Sequence, residues 1–291
     1  MAFRIIVLAK QVPDTRNVGE DAMKADGTVN RAALPAIYNP EDLNALEQAL
    51  RIKDRYEDTE IIILTMGPPR AADIIRESIF RNADRGYLIT DRRFAGADTL
   101  ATSYVISKAV EKIGEYDLII CGRQAIDGDT AQVGPQTAEK LNIPQVTYAE
   151  DITGLSKGST TVIRRLERGV ETVECATPAL ITVHGSAPVC RPKNAKLLMK
   201  YKHAKTVTEL QTIDDDYVNE TVRDKPYLSI EEISLDDLDC KPENIGLAGS
   251  PTKVKKIENV VLQGKEAKVL KDSDQDIREL MGELITNHTL G

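Results

Sequence analysis

The 291-residue sequence predicts an α/β fold, in which helices cover both faces of a doubly wound, mostly parallel sheet. Short apolar runs alternate along the chain with longer stretches of helical periodicity. The apolar runs contain few charged residues, which is typical of parallel strands that are buried on both faces. Two neighbouring segments joined by a Gly-containing turn add a β-hairpin to this sheet.

The first nine elements follow one another in a regular order. Strands are predicted at residues 4–9, 60–65, 86–89, 116–121 and 145–148. Helices are predicted between them at residues 40–56, 69–81, 97–113 and 130–141. In the first helix Leu43, Leu46 and Leu50 share an apolar stripe, which predicts burial against the sheet. Glu41 and Asp42 lie in its first turn, where carboxylates favour the helix dipole.

The β-hairpin is predicted from residues 160–166 and 170–175, which are joined by Glu167, Arg168 and Gly169. Residues 178–183 then predict a further buried strand. We therefore expect one α/β domain over residues 1–187.

The segment 188–291 has a different character, because charges dominate and the apolar runs shorten. We expect a docking loop, an extended arm that wraps over a partner, and an amphipathic helix over residues 272–287. A disordered tail is the alternative, but several apolar residues of the arm need a surface to cover them. These are Leu228, Ile230, Ile233, Leu235, Ile257, Val260 and Val261.

Composition excludes several classes of function. The net charge is −8, with 46 acidic and 38 basic residues, so we expect neither nucleic-acid binding nor an anionic-membrane partner. No apolar run approaches the roughly 20 residues that span a bilayer, and the first one is too short for a signal peptide. The four cysteines form no C-x-x-C pair, which argues against zinc and iron–sulfur sites and fits a cytoplasmic location.

The stretch 116–136 predicts an anion-binding site, because a buried strand enters a turn-rich acidic loop and then a helix. Gly122 lets the backbone turn at the end of the strand, and Gly128 allows a backbone conformation that β-branched residues cannot adopt. Asp129 or Thr130 is the predicted N-cap of the helix. The free N–H groups of the first turn, at residues 129–132, would then bind a phosphate or pyrophosphate. An ordinary strand–loop–helix junction is the alternative interpretation.

The residues of this loop also resemble a known family. The run Cys-Gly-Arg-Gln-Ala-Ile-Asp-Gly-Asp-Thr-Ala-Gln-Val-Gly-Pro-Gln, residues 121–136, looks like the nucleotide-binding signature of the electron transfer flavoprotein β subunits. The likeness extends to residues 7–15, 39–42, 65–68 and 83–86, and it is good from residue 3 to about 187. It implies a Rossmann-like fold of the adenine nucleotide alpha hydrolase type.

The resemblance implies a site for an adenine nucleotide, either AMP or the ADP half of FAD. It implies no catalytic side chain, so all of the implied site residues are nucleotide-binding residues. They are Ala9, Asn39, Pro40, Glu41, Asp42, Met66, Gly122, Arg123, Gln124, Ala125, Ile126, Asp127, Gly128, Asp129, Thr130, Ala131, Gln132 and Val133. Because Asp127 and Asp129 would repel a phosphate, we expect their carboxylates to cap backbone N–H groups or to point away.

Three features resemble the electron-bifurcating branch of the family and favour FAD. They are residues 12–15 after the first strand, Arg123, and residues 128–131. This branch implies that NADH reduces an FAD on this subunit. One electron then passes to ferredoxin and the other, through a second FAD on an α subunit, to a flavin dehydrogenase; the reverse flow is equally compatible.

The dehydrogenase partner is predicted from weaker likenesses. Residues 16–19, 32–35 and 287–291 resemble β subunits that serve lactate-type dehydrogenases rather than acyl-CoA dehydrogenases. The docking loop at residues 188–199 departs from the Pro-Arg-Tyr start of classical members, which also disfavours an acyl-CoA partner. Two alternatives stay open: a classical β subunit with structural AMP, and a nucleotide-binding regulatory module that transfers no electrons.

Overall fold

The computed structural model describes residues 2–14, 35–252 and 269–289. Its main feature is a ten-stranded sheet with the order β11-β12-β5-β4-β1-β6-β10-β7-β8-β9. The strands are β1 Arg4–Leu8, β4 Glu60–Met66, β5 Arg85–Ile89, β6 Leu118–Gly122, β7 Gln145–Leu155, β8 Ser159–Leu166, β9 Gly169–Ala176, β10 Ala179–Val183, β11 Lys205–Thr206 and β12 Ser229–Ile233. Neighbouring strands are parallel except for the β7–β8 and β8–β9 pairs. The predicted α/β fold class is confirmed.

The helices cover both faces of this sheet. They are α1 Pro40–Arg55, α2 Ala72–Ile79, α3 Thr99–Ile113, α4 Val133–Leu141, α5 Ala195–Tyr201, α6 Val207–Thr212, α7 Asp216–Asp224 and α8 Asp274–Thr286. One core cluster packs α1 and α2 against one face of the sheet, and a second cluster packs α3 and α4 against the other. The central strands are buried on both sides, as their uninterrupted apolar sequences predict.

The predicted hairpin is confirmed as β8 and β9, and β10 matches the further strand. The strand predicted at 145–148 is longer, because β7 continues to Leu155 and pairs antiparallel with β8. A short antiparallel pair that we did not predict, β2 Gln11–Pro13 and β3 Ala36–Tyr38, flanks the start of α1.

Part of the region after residue 188 belongs to the main sheet. Strand β12 pairs with β5, and β11 pairs with β12. Leu228, Ile230 and Ile233 are therefore buried in this chain itself, so the prediction that they cover a partner was wrong. The edge of β5 supplied the apolar surface and the backbone hydrogen bonds that these residues needed. The division of the chain at residues 187 and 188 stays a prediction.

The terminal helix is confirmed as α8, which begins after the capping side chain of Ser273. Its Ile277, Met281 and Ile285 are exposed. The predictions made for residues 16–19, 32–34, 257, 260 and 261 lie outside the described residues. Among the residues described, no helix is long and apolar enough to cross a membrane.

Candidate nucleotide-binding site

A cavity of about 720 Å³ lies at the carboxyl ends of β1, β4, β5 and β6. The chain leaves β1 toward β4 and β5 on one side, and later returns to β6 on the other side. The order of the strands therefore reverses between β1 and β6. In open parallel sheets, a crevice at such a switch point is the usual ligand site.

Fourteen of the eighteen predicted binding residues line this cavity. They are Ala9, Asp42, Met66, Gly122, Arg123, Gln124, Ala125, Asp127, Gly128, Asp129, Thr130, Ala131, Gln132 and Val133. The other four, Asn39, Pro40, Glu41 and Ile126, do not line it. The fold thus brings together residues that are far apart in the sequence.

Asn39 and Glu41 support the loop that follows β6. The Asn39 side chain is fully buried; it donates to the carbonyl of Gln124 at 2.9 Å and accepts the N–H of Ile126 at 3.2 Å. Asn39 occupies the cap position of α1 ahead of Pro40, but its side chain makes no capping hydrogen bond. Glu41 accepts Nη2 of Arg123 at 2.9 Å and the N–H of Gln124 at 3.0 Å. Both side chains therefore hold backbone in place.

Arg123 is already paired on one side. Its ion pair with Glu41 raises the pKa of the guanidinium. The guanidinium carbon also lies 5.7 Å from the centre of the Tyr148 ring, which stacks on His184. Arg123 is therefore one half of a salt bridge, and its contact with the cavity is additional.

Asp42 joins the ends of β1 and β6. One of its carboxylate oxygens accepts the N–H of Lys10 and the other the N–H of Gly122, both at 2.9 Å. Burial raises the pKa of Asp42 to about 7, although the hydrogen bonds from Lys10 and Gly122 act in the opposite direction. Gly122 has no room for a side chain, because an added Cβ would lie 2.5 Å from Asp42 Oδ1.

The two acidic residues of the loop are bound by side chains rather than by backbone N–H groups, so the capping role predicted for them was wrong. Asp127 accepts Nζ of Lys10 at 2.8 Å on both of its oxygens. Asp129 accepts Nε2 of Gln124 at 2.8 Å. The Lys10 ammonium offsets the negative charge of Asp127 next to the cavity. This lowers the electrostatic repulsion that an anion in the cavity would meet.

Helix α4 begins at Val133, three residues later than predicted. Asp129 and Ala131 have φ angles of 49° and 53°, and this left-handed backbone cannot be part of a right-handed helix. Gly128 is not in that region and an added Cβ would meet nothing within 4 Å, so its predicted conformational role was wrong.

The later helix start changes which N–H groups could serve the predicted anion site. In the part of the chain that the structure describes, the N–H groups of Thr130, Ala131 and Gln132 donate to no protein acceptor. They lie in the loop before α4, whose first residues, Val133 and Gly134, also line the cavity. Unpaired N–H groups beside the positive end of a helix dipole suit a phosphate.

Sequence reasoning missed the opposite wall of the cavity. This wall loop, residues 90–99, follows β5 and contributes every one of its positions from 90 to 99 except Arg93. Its Phe94 is buried beside the apolar side chains of Leu8, Leu64 and Ile89. The predicted strand at 86–89 was the available signal, because loops at the carboxyl ends of neighbouring parallel strands share one edge of the sheet.

The site contains no arrangement for metal or thiol chemistry. Over residues 2–14, 35–252 and 269–289, no group of three His, Cys, Asp or Glu side chains is placed to hold a metal ion. All four cysteines are unpaired, and burial strongly raises the pKa of Cys121, which lines the cavity.

Comparison with known proteins shows which family this site represents. The family model described as "Electron transfer flavoprotein domain" matches residues 26–211, which include most of the cavity wall. The chain belongs to the electron transfer flavoprotein family. The predicted resemblance to this family is thus confirmed.

Several electron transfer flavoprotein subunits are similar over most of their length. The acryloyl-CoA reductase electron transfer subunit gamma of Anaerotignum propionicum is 41% identical over 293 residues, which cover 99% of this chain and 100% of that relative. The electron transfer flavoprotein subunit beta of Megasphaera elsdenii is 42% identical over 261 residues, 88% of this chain and 87% of the relative. The caffeyl-CoA reductase-Etf complex subunit CarD of Acetobacterium woodii is 50% identical over 180 residues, 62% of this chain and 68% of the relative.

Proposed function

We propose that the chain is the β subunit of a heterodimeric electron transfer flavoprotein that binds FAD in the cavity. In this proposal it takes part in flavin-based electron bifurcation or confurcation among NAD(H), ferredoxin and a flavin dehydrogenase. The observation that carries the proposal is the cavity at the β1/β6 switch point, in a chain of this family.

The residues of the cavity fit a flavin dinucleotide. A volume of about 720 Å³ lies within the range of roughly 300–1,000 Å³ that is usual for ligand pockets. One side offers the unpaired N–H groups of Thr130, Ala131 and Gln132 to a diphosphate. The other side offers apolar surface, with Phe94 and Ile89, to a planar ring system.

The side chains of this subunit bind and orient, and the cofactor supplies the redox chemistry when it is bound. Asp42, Asn39 and Glu41 hold the backbone after β1 and β6 in one geometry. Lys10 neutralises Asp127, so that the loop accepts a second anion. The apolar wall excludes water from one part of the cavity, which strengthens the polar interactions in the other part.

Two types of dehydrogenase have support as the partner of this chain. The names of the A. propionicum and A. woodii relatives, an acryloyl-CoA and a caffeyl-CoA reductase subunit, favour a dehydrogenase for CoA thioesters. The likenesses in the loops and at the carboxyl terminus favour a lactate-type dehydrogenase, and that stays a prediction. We propose a flavin dehydrogenase of one of these two types.

The test is to co-express the chain with its α subunit, denature the purified complex and count FAD and AMP per heterodimer by chromatography. Two FAD and no AMP is the expected result. One FAD with one AMP would replace the proposal with a classical electron carrier, in which the cavity holds a structural nucleotide. A complex without flavin would support a regulatory module and overturn the redox function.

A further inference from the structure

The wall loop is held from behind by a segment near the carboxyl end of the described chain. We call this segment, residues 245–252, the clasp. It contains Ile245, which is buried in the same core cluster as Phe94 of the wall loop. The two segments are far apart in the sequence, since Asp98 and Ser250 are separated by 152 positions. Nothing in the proposed cofactor chemistry requires the clasp.

Ser250 is the centre of the contact. Its side chain is 3% exposed. Its Oγ accepts the N–H of Asp98 at 2.8 Å and approaches two carbonyl oxygens, at 2.6 Å to Gly246 and 3.3 Å to Gly96. One hydroxyl therefore joins the fold of the clasp to both Gly96 and Asp98 of the wall loop.

Asp98 connects the same contact to α3. Its Oδ1 caps the helix by accepting the N–H groups of Leu100 and Ala101 at 3.0 and 3.1 Å. Its Oδ2 accepts the N–H of Thr252 at 3.1 Å. The backbone of the wall loop, the start of α3 and the clasp are thus joined through two side chains.

The shapes of the two segments also interlock. Gly246 has a φ angle of 51°, and an added Cβ there would lie 2.4 Å from the carbonyl oxygen of Arg93. An added Cβ at Gly96 would lie 2.6 Å from the side chain of Leu247. The approach of residue 246 to the backbone of Arg93 is possible only because Gly246 has no side chain, whereas the neighbour of Gly96 is a side chain. The wall loop therefore packs tightly against the clasp.

These contacts control one side of the cavity. Residues 94–99 line the cavity on one face and meet the clasp on the other. A surface loop without such support samples many conformations, and a ligand then binds only the competent fraction of them. A group that keeps the loop in its binding conformation raises the affinity without touching the ligand.

We propose that Ser250 is a positioning residue for the nucleotide site and acts through Gly96 and Asp98. The proposal rests on the proposed function, because it assumes that an adenine nucleotide occupies the cavity. Loss of the hydroxyl leaves the N–H of Asp98 and the carbonyl of Gly246 without their partner, and the wall loop opens more often.

The experiment compares Ser250→Ala with the matched control Ser78→Ala in the full-length chain, co-purified with its α subunit and freed of nucleotide by dialysis at high salt. Ser78 is also fully buried, and its Oγ donates to the carbonyl of Ile74, four residues earlier, at 2.7 Å. It lies on α2, at the opposite face of the sheet from α3. ADP is the probe, titrated by calorimetry, and hydrogen exchange reports on the amides of residues 94–98.

Ser250→Ala is expected to weaken ADP binding about fivefold or more and to speed hydrogen exchange at residues 94–98. Ser78→Ala is expected to lower the melting temperature with no change in either quantity. Equal ADP affinity and equal exchange in Ser250→Ala and the unmodified chain would overturn the role of Ser250 alone. An unmodified complex that binds neither ADP nor flavin would overturn the proposed function and this inference together.

Discussion

Asp42 and Gly122 meet at the switch point of the sheet, where Oδ1 of the aspartate accepts the glycine N–H at 2.9 Å. A Cβ at residue 122 would lie 2.5 Å from that oxygen and 2.8 Å from the backbone carbon of Glu41. The first turn of α1 thus packs directly against the end of β6. The cavity wall depends on this close approach between two backbones.

Gly122→Ala is expected to lose about one FAD per heterodimer and to lower the free energy of unfolding by about 1–3 kcal/mol, which is typical of overpacking. The reason is that backbone atoms, which have little freedom to yield, surround the new methyl group. Flavin content and urea unfolding measure the two effects. Gly282→Ala is the control, because its Cβ also meets open space, on α8 and outside the cavity wall, and it should leave the flavin content unchanged.

The stability of the protein should depend on pH through Asp42. Burial raises its pKa to about 7, so the folded chain binds a proton more tightly than the unfolded chain does. The contribution of Asp42 to the free energy of unfolding is largest below about pH 4, where its carboxyl group is protonated in both the folded and the unfolded chain. This contribution is lost as the pH rises to about 7. At about 1.4 kcal/mol per pH unit, the loss amounts to roughly 4 kcal/mol at most.

Urea unfolding between pH 4 and 8 tests this dependence against Asp42→Asn, which cannot ionise. At pH 4 the variant is expected to be less stable than the unmodified protein, because an amide offers one acceptor oxygen to the two N–H groups of Lys10 and Gly122. The difference in free energy of unfolding between the two proteins should shrink as the pH rises. A difference that is constant over this range would contradict the prediction.

The pair of Lys10 and Asp127 should control nucleotide affinity by its charge. Lys10→Met leaves the Asp127 carboxylate beside the phosphate without its counterion, and we expect about tenfold weaker ADP binding, or roughly 1.4 kcal/mol. Calorimetry at two salt concentrations measures the loss, which should be smaller at high salt. Adding Asp127→Asn to Lys10→Met should restore most of the affinity; a double variant as weak as the single one would argue against electrostatic control.

The exposed leucine of the docking loop should matter for the dehydrogenase. Leu198 lies on α5 with 38% of its surface exposed, next to the more exposed Met199. Replacing Leu197 and Leu198 by glutamine should leave the FAD content intact and slow electron transfer with the dehydrogenase about tenfold, since the buried core of an interface is more apolar than the surrounding surface. Steady-state electron transfer at varied dehydrogenase concentration is the measurement. Unchanged coupling would show that this loop does not dock the partner.

Much of the fold was predictable because local patterns report burial directly. The apolar runs of β1, β4 and β6 are buried on both faces, and the stripe of α1 faces the sheet, as periodicity predicts. The position of β12 was not predictable. A sequence with few apolar residues does not reveal whether a strand covers a partner or the edge of its own sheet.

The candidate site, too, was only partly predictable from local sequence patterns. Residues 121–136 predict an anion site, but not that Asn39 and Glu41 would hold the loop from behind. Ala131 has a left-handed conformation that alanine usually avoids, so no local preference at this position signals the late start of α4. The wall loop enters the site because β5 lies beside β4, which only the strand order establishes.

The sequence by itself determined the fold class, the two-sided burial of the central strands and the position of the loop between β6 and α4. These follow from periodicity and from turn-forming residues, which act over a few positions. The tertiary structure alone decided the pairing of Asp42 with Gly122, the neutralisation of Asp127 by Lys10 and the contact of Ser250 with the wall loop. Each of these contacts joins groups that are 80 to 152 residues apart in the sequence. The order of the strands in the sheet decides which of such distant groups come into contact.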